Sequence, residues 1–233
     1  MRQFSARRWS AFAAIVAALL LTVNLVALLG LWGTLDRGPT AAELRRAADA
    51  EVARRWSAWP AGRIFPDRLA YSIVGQSEYA GRVGIGGGLD CADAVDPALG
   101  SALARSGCLA VLRATYLDQL QGVVVTIGVA VFPHEQAAYR ARLTLPSGHL
   151  RALPIAGTPT DRFTDAARQY GTVERAGPYL VLTTAGQTDG RPASSVRVPR
   201  IGVFDAVAQL GHTVGQTLSQ RALPNCRSRE WQC

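Results

Sequence analysis

The segment 108-CLAVLRATYLDQLQGVVVTIGVAVF-132 decides the architecture. Two runs rich in aliphatic and β-branched residues, 108–116 and 122–132, flank a short polar turn at Asp118–Gln121. That is the pattern of an antiparallel hairpin. Most positions in both runs are apolar and do not alternate, so at least one strand is expected to be central and covered on both faces.

Downstream of the hairpin, Pro133 opens a helix, 134-HEQAAYRARL-143, in which Ala137, Ala138 and Ala141 allow close approach to the sheet. A second hairpin is expected from 168-RQYGTVE-174 through Ala176-Gly177-Pro178 into 179-YLVLTTA-185. The loop 186-GQTDGRP-192 carries turn chemistry in Asp189-Gly190 and Pro192. Asp189 and Arg191 are candidates for a recognition tip, although a solvated turn explains them equally well. A short strand is expected over 194–198. The terminal helix 202-GVFDAVAQLGHTVGQTLSQRAL-223 sets Phe204, Val207, Leu210, Val214 and Leu218 on one face, and Gly211 and Gly215 permit close packing.

Upstream, Asp96-Pro97 reads as a helix start, with an acceptor at the cap and a fixed φ at the first helical position. Leu99, Ala102 and Leu103 form its apolar face, and Gly107 suits the left-handed position at its end. The segment 81-GRVGIGGGLD-90 is read as a flexible loop. It lacks the G-K-[ST] of a phosphate loop and the G-x-G-x-x-G spacing of a dinucleotide site. Before it, 68-RLAYSIV-74 reads as a strand. The helix 40-TAAELRRAADAEVARRWSAW-59 opens on a Thr40/Glu43 capping box and shows one stripe of Leu44, Ala48, Val52 and Trp56. Either that stripe packs on the domain, or the helix lies on anionic lipid. In the second case Arg45, Arg46, Arg54 and Arg55 face headgroups, and Trp56 and Trp59 act as interfacial anchors.

Residues 11-AFAAIVAALLLTVNLVALLGLW-32 are almost wholly apolar and long enough to cross a bilayer, with Trp9 and Trp32 at the two ends. The run is longer than the apolar region of a cleaved signal peptide, and 30-GLWGTLDRGP-39 holds no A-x-A site. An uncleaved anchor is expected. Arg2, Arg7 and Arg8 before it balance Arg37, Arg45 and Arg46 after it. The closeness of Arg7 and Arg8, and the lack of acidic residues in the tail, place the amino terminus in the cytoplasm. The chain has a formal charge of +8 with every basic residue an Arg. The outer part keeps 22 Arg against 17 acidic residues, a formal charge of about +5. These Arg do not cluster, so a nucleic-acid groove is not expected.

The four cysteines are an even set. Cys91 and Cys108 are 17 apart, and Cys226 and Cys233 are 7 apart. Neither spacing suits zinc, and His134, His149 and His212 are scattered. In an oxidising compartment they point to two disulfides; four cysteines permit three pairings, of which Cys91–Cys108 with Cys226–Cys233 is favoured. The first bridge requires a helix beginning at Pro97, with residues 92–95 running back beside it. Asp90, Asp93 and Asp96 do not follow the alternate spacing of a calcium loop. No G-x-S-x-G, S-x-x-K or H-E-x-x-H occurs, so no catalytic, cofactor-binding or metal-binding residue is assigned.

The stretches 60-PAGRIFPDRLAY-71, 107-GCLAVLRATYLD-118 and 178-PYLVLTTAGQTDGRP-192 resemble those of uncharacterised single-pass membrane-anchored proteins of high-GC actinobacteria. The resemblance implies an envelope location and a disulfide-bonded outer domain. It carries no activity.

The expected organisation is a cytoplasmic tail (1–10), a transmembrane helix (11–32), a juxtamembrane linker and amphipathic helix (33–59), and an extracytoplasmic α+β domain (60–233). Its sheet should be mostly antiparallel, with helices packed on one face. The expected function is a non-enzymatic accessory or scaffold subunit of a cell-envelope complex, with a protein partner. The alternative is a ligand-binding or sensor domain for a lipid or anionic envelope polymer. A hydrolase with a site dispersed in sequence is a third class.

Overall fold

Three hairpins join edge to edge into one antiparallel sheet. The computed structural model describes residues 3–36, 38–196 and 201–222. The chain forms two compact units, Met1–Leu44 and Arg45–Cys233. In the first, helix α1 (Gln3–Asp36) contains the apolar window Ile15–Gly33, 19 residues of mean hydropathy 2.4, long and apolar enough to cross a membrane. Helix α2 (Ala41–Ala58) begins at the expected capping box: the Thr40 amide donates to Glu43 Oε2 at 2.8 Å, and the Glu43 amide donates to Thr40 Oγ1 at 3.3 Å.

The second unit takes in α2 from Arg45 onward. After a short helix α3 (Ala61–Ile64) come β1 (Arg68–Ile73), β2 (Gln76–Leu89), α4 (Pro97–Arg105), β3 (Ala110–Leu117), β4 (Val123–Val131) and α5 (Glu135–Thr144). A long coil then leads to β5 (Tyr170–Ala176), β6 (Tyr179–Gln187) and α6 (Asp205–Ser219). The strand order is β1-β2-β3-β4-β6-β5, with every neighbour antiparallel. The α+β class, the antiparallel sheet and the hairpins centred on 108–132 and 168–185 are as the sequence predicts.

The neighbouring strands β4 and β6 are covered on both faces. On one, Ile127, Val129 and Val181 meet Val207, Leu210, Val214 and Leu218 of α6, with Val52 of α2 and Ile64 of α3. On the other, Ala130, Leu180 and Leu182 meet Leu99 and Leu103 of α4, the three alanines of α5, and Leu150 of the coil. The sheet curls so that α6 touches both edge strands, β1 and β5. On β1 the Gln209 side chain closes the open edge: the Ser72 amide donates to its Oε1 and its Nε2 donates to the Ser72 carbonyl, both at 2.9 Å. An exposed strand edge is a template for unwanted pairing, and this amide mimics one residue of a missing strand.

Two expectations are corrected. The glycine-rich segment 81–90 is not a flexible loop: residues 81–89 are the second half of β2, and only Asp90 lies beyond it. A Cβ on Gly86 would sit 3.0 Å from a Leu153 methyl, and one on Gly128 of β4 would sit 2.5 Å from a Leu150 methyl. Glycines hollow the sheet so that the coil can lay its leucines into it. Over the described part of the expected strand 194–198, Ala193–Ser195 make a 3-10 turn after Pro192 instead; positions 197 and 198 lie outside the described residues.

Candidate functional site

The Cys91–Cys108 disulfide forms, with Cα atoms 6.2 Å apart. Ala92 runs back against Gly100 of α4, as the bridge requires. Cys226 and Cys233 lie outside the described residues. The Asp96 side chain, at the start of α4, does not cap its own helix. It accepts from the His149 amide and from Arg168, each at 2.8 Å, and so ties α4 to the long coil. Burial pushes its carboxyl up, but the His149 amide and the Arg168 guanidinium outweigh this and hold it below the ordinary carboxylate value.

A cleft of about 1080 Å³ is bounded by α2, the start of α5, the β5–β6 turn and the end of α6. Its charges are paired across elements. Arg221 meets Asp49 at 2.7 Å and Glu135 at 3.4 Å, and Arg175 meets Glu135 at 2.7 Å. His212 Nδ1 lies 2.6 Å from Glu174 Oε1, which fixes the ring and leaves Nε2 as its free position. Such a carboxylate–imidazole pair can carry a proton. Among the described residues, however, no hydroxyl bonds to His212 to serve as a nucleophile. His134 is occupied structurally, because its Nδ1 accepts the Ala137 amide at 3.1 Å and caps α5. No local sequence pattern signals the Glu174–His212 pair, whose members lie 38 residues apart on a strand and a helix.

The candidate lipid-contact residues divide. Arg45 and Arg46 are on the exposed side of α2. Arg54 bonds back to the Ala50 carbonyl at 3.2 Å. Arg55 is 3% exposed, and this corrects its assignment to a lipid face. Its guanidinium grips Glu51 and donates to the carbonyls of Leu218 and Gln220 at 2.9 and 2.8 Å, capping α6. Trp56 and Trp59 pack against the core, and the Arg63 guanidinium stacks on the Trp59 ring at 3.7 Å. Asp189 and Arg191 satisfy each other within one turn, where the Arg191 side chain holds the Asp189 carboxyl below its ordinary value.

That turn stands at one end of the sheet beside the β3–β4 turn, to which Thr188 donates at 2.9 Å through the Gln121 carbonyl. The tip of the β1–β2 hairpin projects from the same end, since β2 pairs with β3 only from Gly81 onward. Val74 and Gly75 at the tip have φ of 50° and 79°, the two positive angles of a type I′ turn. Asn-Gly is the usual choice there, and a β-branched residue is strained in this region. Val74 is 98% exposed, and Leu120 in the neighbouring turn is 81% exposed. Near them Tyr71 donates to Glu78 at 2.7 Å; burial first, then this carboxylate, pushes its hydroxyl up to about 12.

No protein-family model, curated protein or solved structure matches this chain.

Proposed function

We propose that this protein is a non-enzymatic accessory subunit of a cell-envelope complex, anchored by α1 with its amino terminus in the cytoplasm and its α+β unit outside. The unit grips a protein partner through the end of the sheet that carries Val74 and Leu120. The apolar window in α1 supports the anchor. The Cys91–Cys108 bridge supports an oxidising compartment. The observation that carries the docking role is Val74. It is unfavourable twice over, in a left-handed backbone and in full contact with water. Burial against a partner would offset both costs.

The rival reading, a binding domain for lipid or an anionic polymer, draws on the charge of the outer part and on the cleft. Arg175 and Arg221 in that cleft are already paired with Glu135 and Asp49, which favours the docking reading. The test places a photo-crosslinking amino acid at Val74, at Leu120 or at the exposed Asp161 in intact cells. Discrete protein adducts from the first two positions and not the third support the proposal. The same pattern from all three, or lipid adducts alone, overturns it.

A further inference from the structure

We infer that α1 pairs in the membrane with the α1 of a second copy of this chain, through Asn24. The inference rests on the reading of α1 as a membrane span. Asn24 lies at the midpoint of the window Ile15–Gly33, the depth at which water is scarcest. Its amide donates once, to the Leu20 carbonyl at 2.7 Å. The other polar side chain of the span, Thr22, uses its single donor on the Leu19 carbonyl at 2.8 Å. An Asn amide has two N–H groups and an acceptor oxygen. Among the described residues, one N–H and the Oδ1 of Asn24 have no partner, and hydrocarbon offers none.

The face that carries this amide is suited to helix pairing. Ala17, Leu20, Asn24, Ala27 and Leu31 recur at alternating spacings of three and four, the seam of a left-handed pair. Ala17 and Ala27 flank Asn24 along that seam, and small residues let two backbones approach closely. A second copy is the occupant that the chemistry selects. Copies inserted the same way bring their Asn24 side chains to one depth. The amide is its own complement, donor to acceptor and acceptor to donor. A foreign helix would need a polar group at that depth and on that face.

The test uses the full chain, tagged with donor or acceptor fluorophores and co-reconstituted in phosphatidylcholine vesicles over a wide range of lipid-to-protein ratios. Energy transfer above random proximity is expected for the wild type. Asn24→Leu should shift its lipid-dilution midpoint by roughly threefold to twentyfold towards dissociation, while Asn24→Gln retains association. The Leu variant makes the helix more apolar, so it does not compromise insertion. Vesicle flotation is read on the same samples. Protein that floats but shows no transfer, or an Asn24→Leu curve that overlays the wild type, overturns the pairing alone. Protein that fails to float overturns the anchor and the pairing together.

Discussion

Replacing Arg55 with Ala should be among the most damaging single changes in the outer unit. The guanidinium is 3% exposed and binds Glu51 through Nε at 2.9 Å and Nη2 at 2.6 Å. It also satisfies carbonyls at the end of α6, where a helix leaves its last acceptors bare and its dipole is negative. The substitution strands a Glu51 side chain that is only 12% exposed. Breaking a buried pair in this way costs about 3–5 kcal/mol. In a unit of this size each kcal/mol moves Tm by roughly 2–4 °C, so a fall of about 6–20 °C is expected. Near-UV circular dichroism of the detergent-solubilised full chain would measure it. The double variant Glu51→Gln/Arg55→Met leaves no buried charge and should recover most of the loss. A single variant that melts within about 2 °C of the wild type, or a double variant no better than the single, would refute the assignment of Arg55 as the tie between α2 and α6.

Three further outcomes follow from the same structure. Val74→Asn should raise Tm by a few degrees, since Asn tolerates the left-handed angle better by about 1 kcal/mol, while it abolishes capture of the partner in a pull-down. Reducing Cys91–Cys108 should cost about 3 kcal/mol for a loop of this size, read as a fall in Tm on adding a reductant that is lost in the Cys91→Ser variant. Asp96 has a carboxyl held below its unfolded value of 3.8, so its contribution is fully present above that value and is lost as pH falls through the lower folded one. Urea unfolding across acid pH should therefore be less steeply pH-dependent in Asp96→Asn than in the wild type.

Elements whose signal is local were legible in the sequence. The hairpins announce themselves by apolar runs and turn residues. The α5 alanines and the α6 stripe follow helical period, and the helix start at Asp96-Pro97 satisfies what the Cys91–Cys108 bridge requires. The second half of β2 was not legible, because glycine in a strand reads as breakage. What makes Gly84 and Gly86 right is Ile155 and Leu153, some 70 residues away, lying across them. Arg55 was misread for a related reason. Its neighbour Arg54 and the other Arg of α2 have the look of a solvated face, and only the arrival of the α6 carbonyls gives this one a buried role. The Glu174–His212 pair and the exposed turn at Val74 likewise depend on how elements dock and project, which no short window records.

The position of α6 bears on the order in which the unit can be completed. Gln209 closes the edge of β1, its partner Ser72 standing 137 residues earlier. At a synthesis rate of roughly 5–20 residues per second, the first strand waits about 7–27 s for its clasp. During that interval β1 presents bare amides and carbonyls, Tyr179 and Val181 lack their cover, and Arg55 has Glu51 but none of its carbonyls. The nascent chain thus spends its youth as an unlatched sheet, and a chaperone that shields strand edges has most to do before residue 209 emerges.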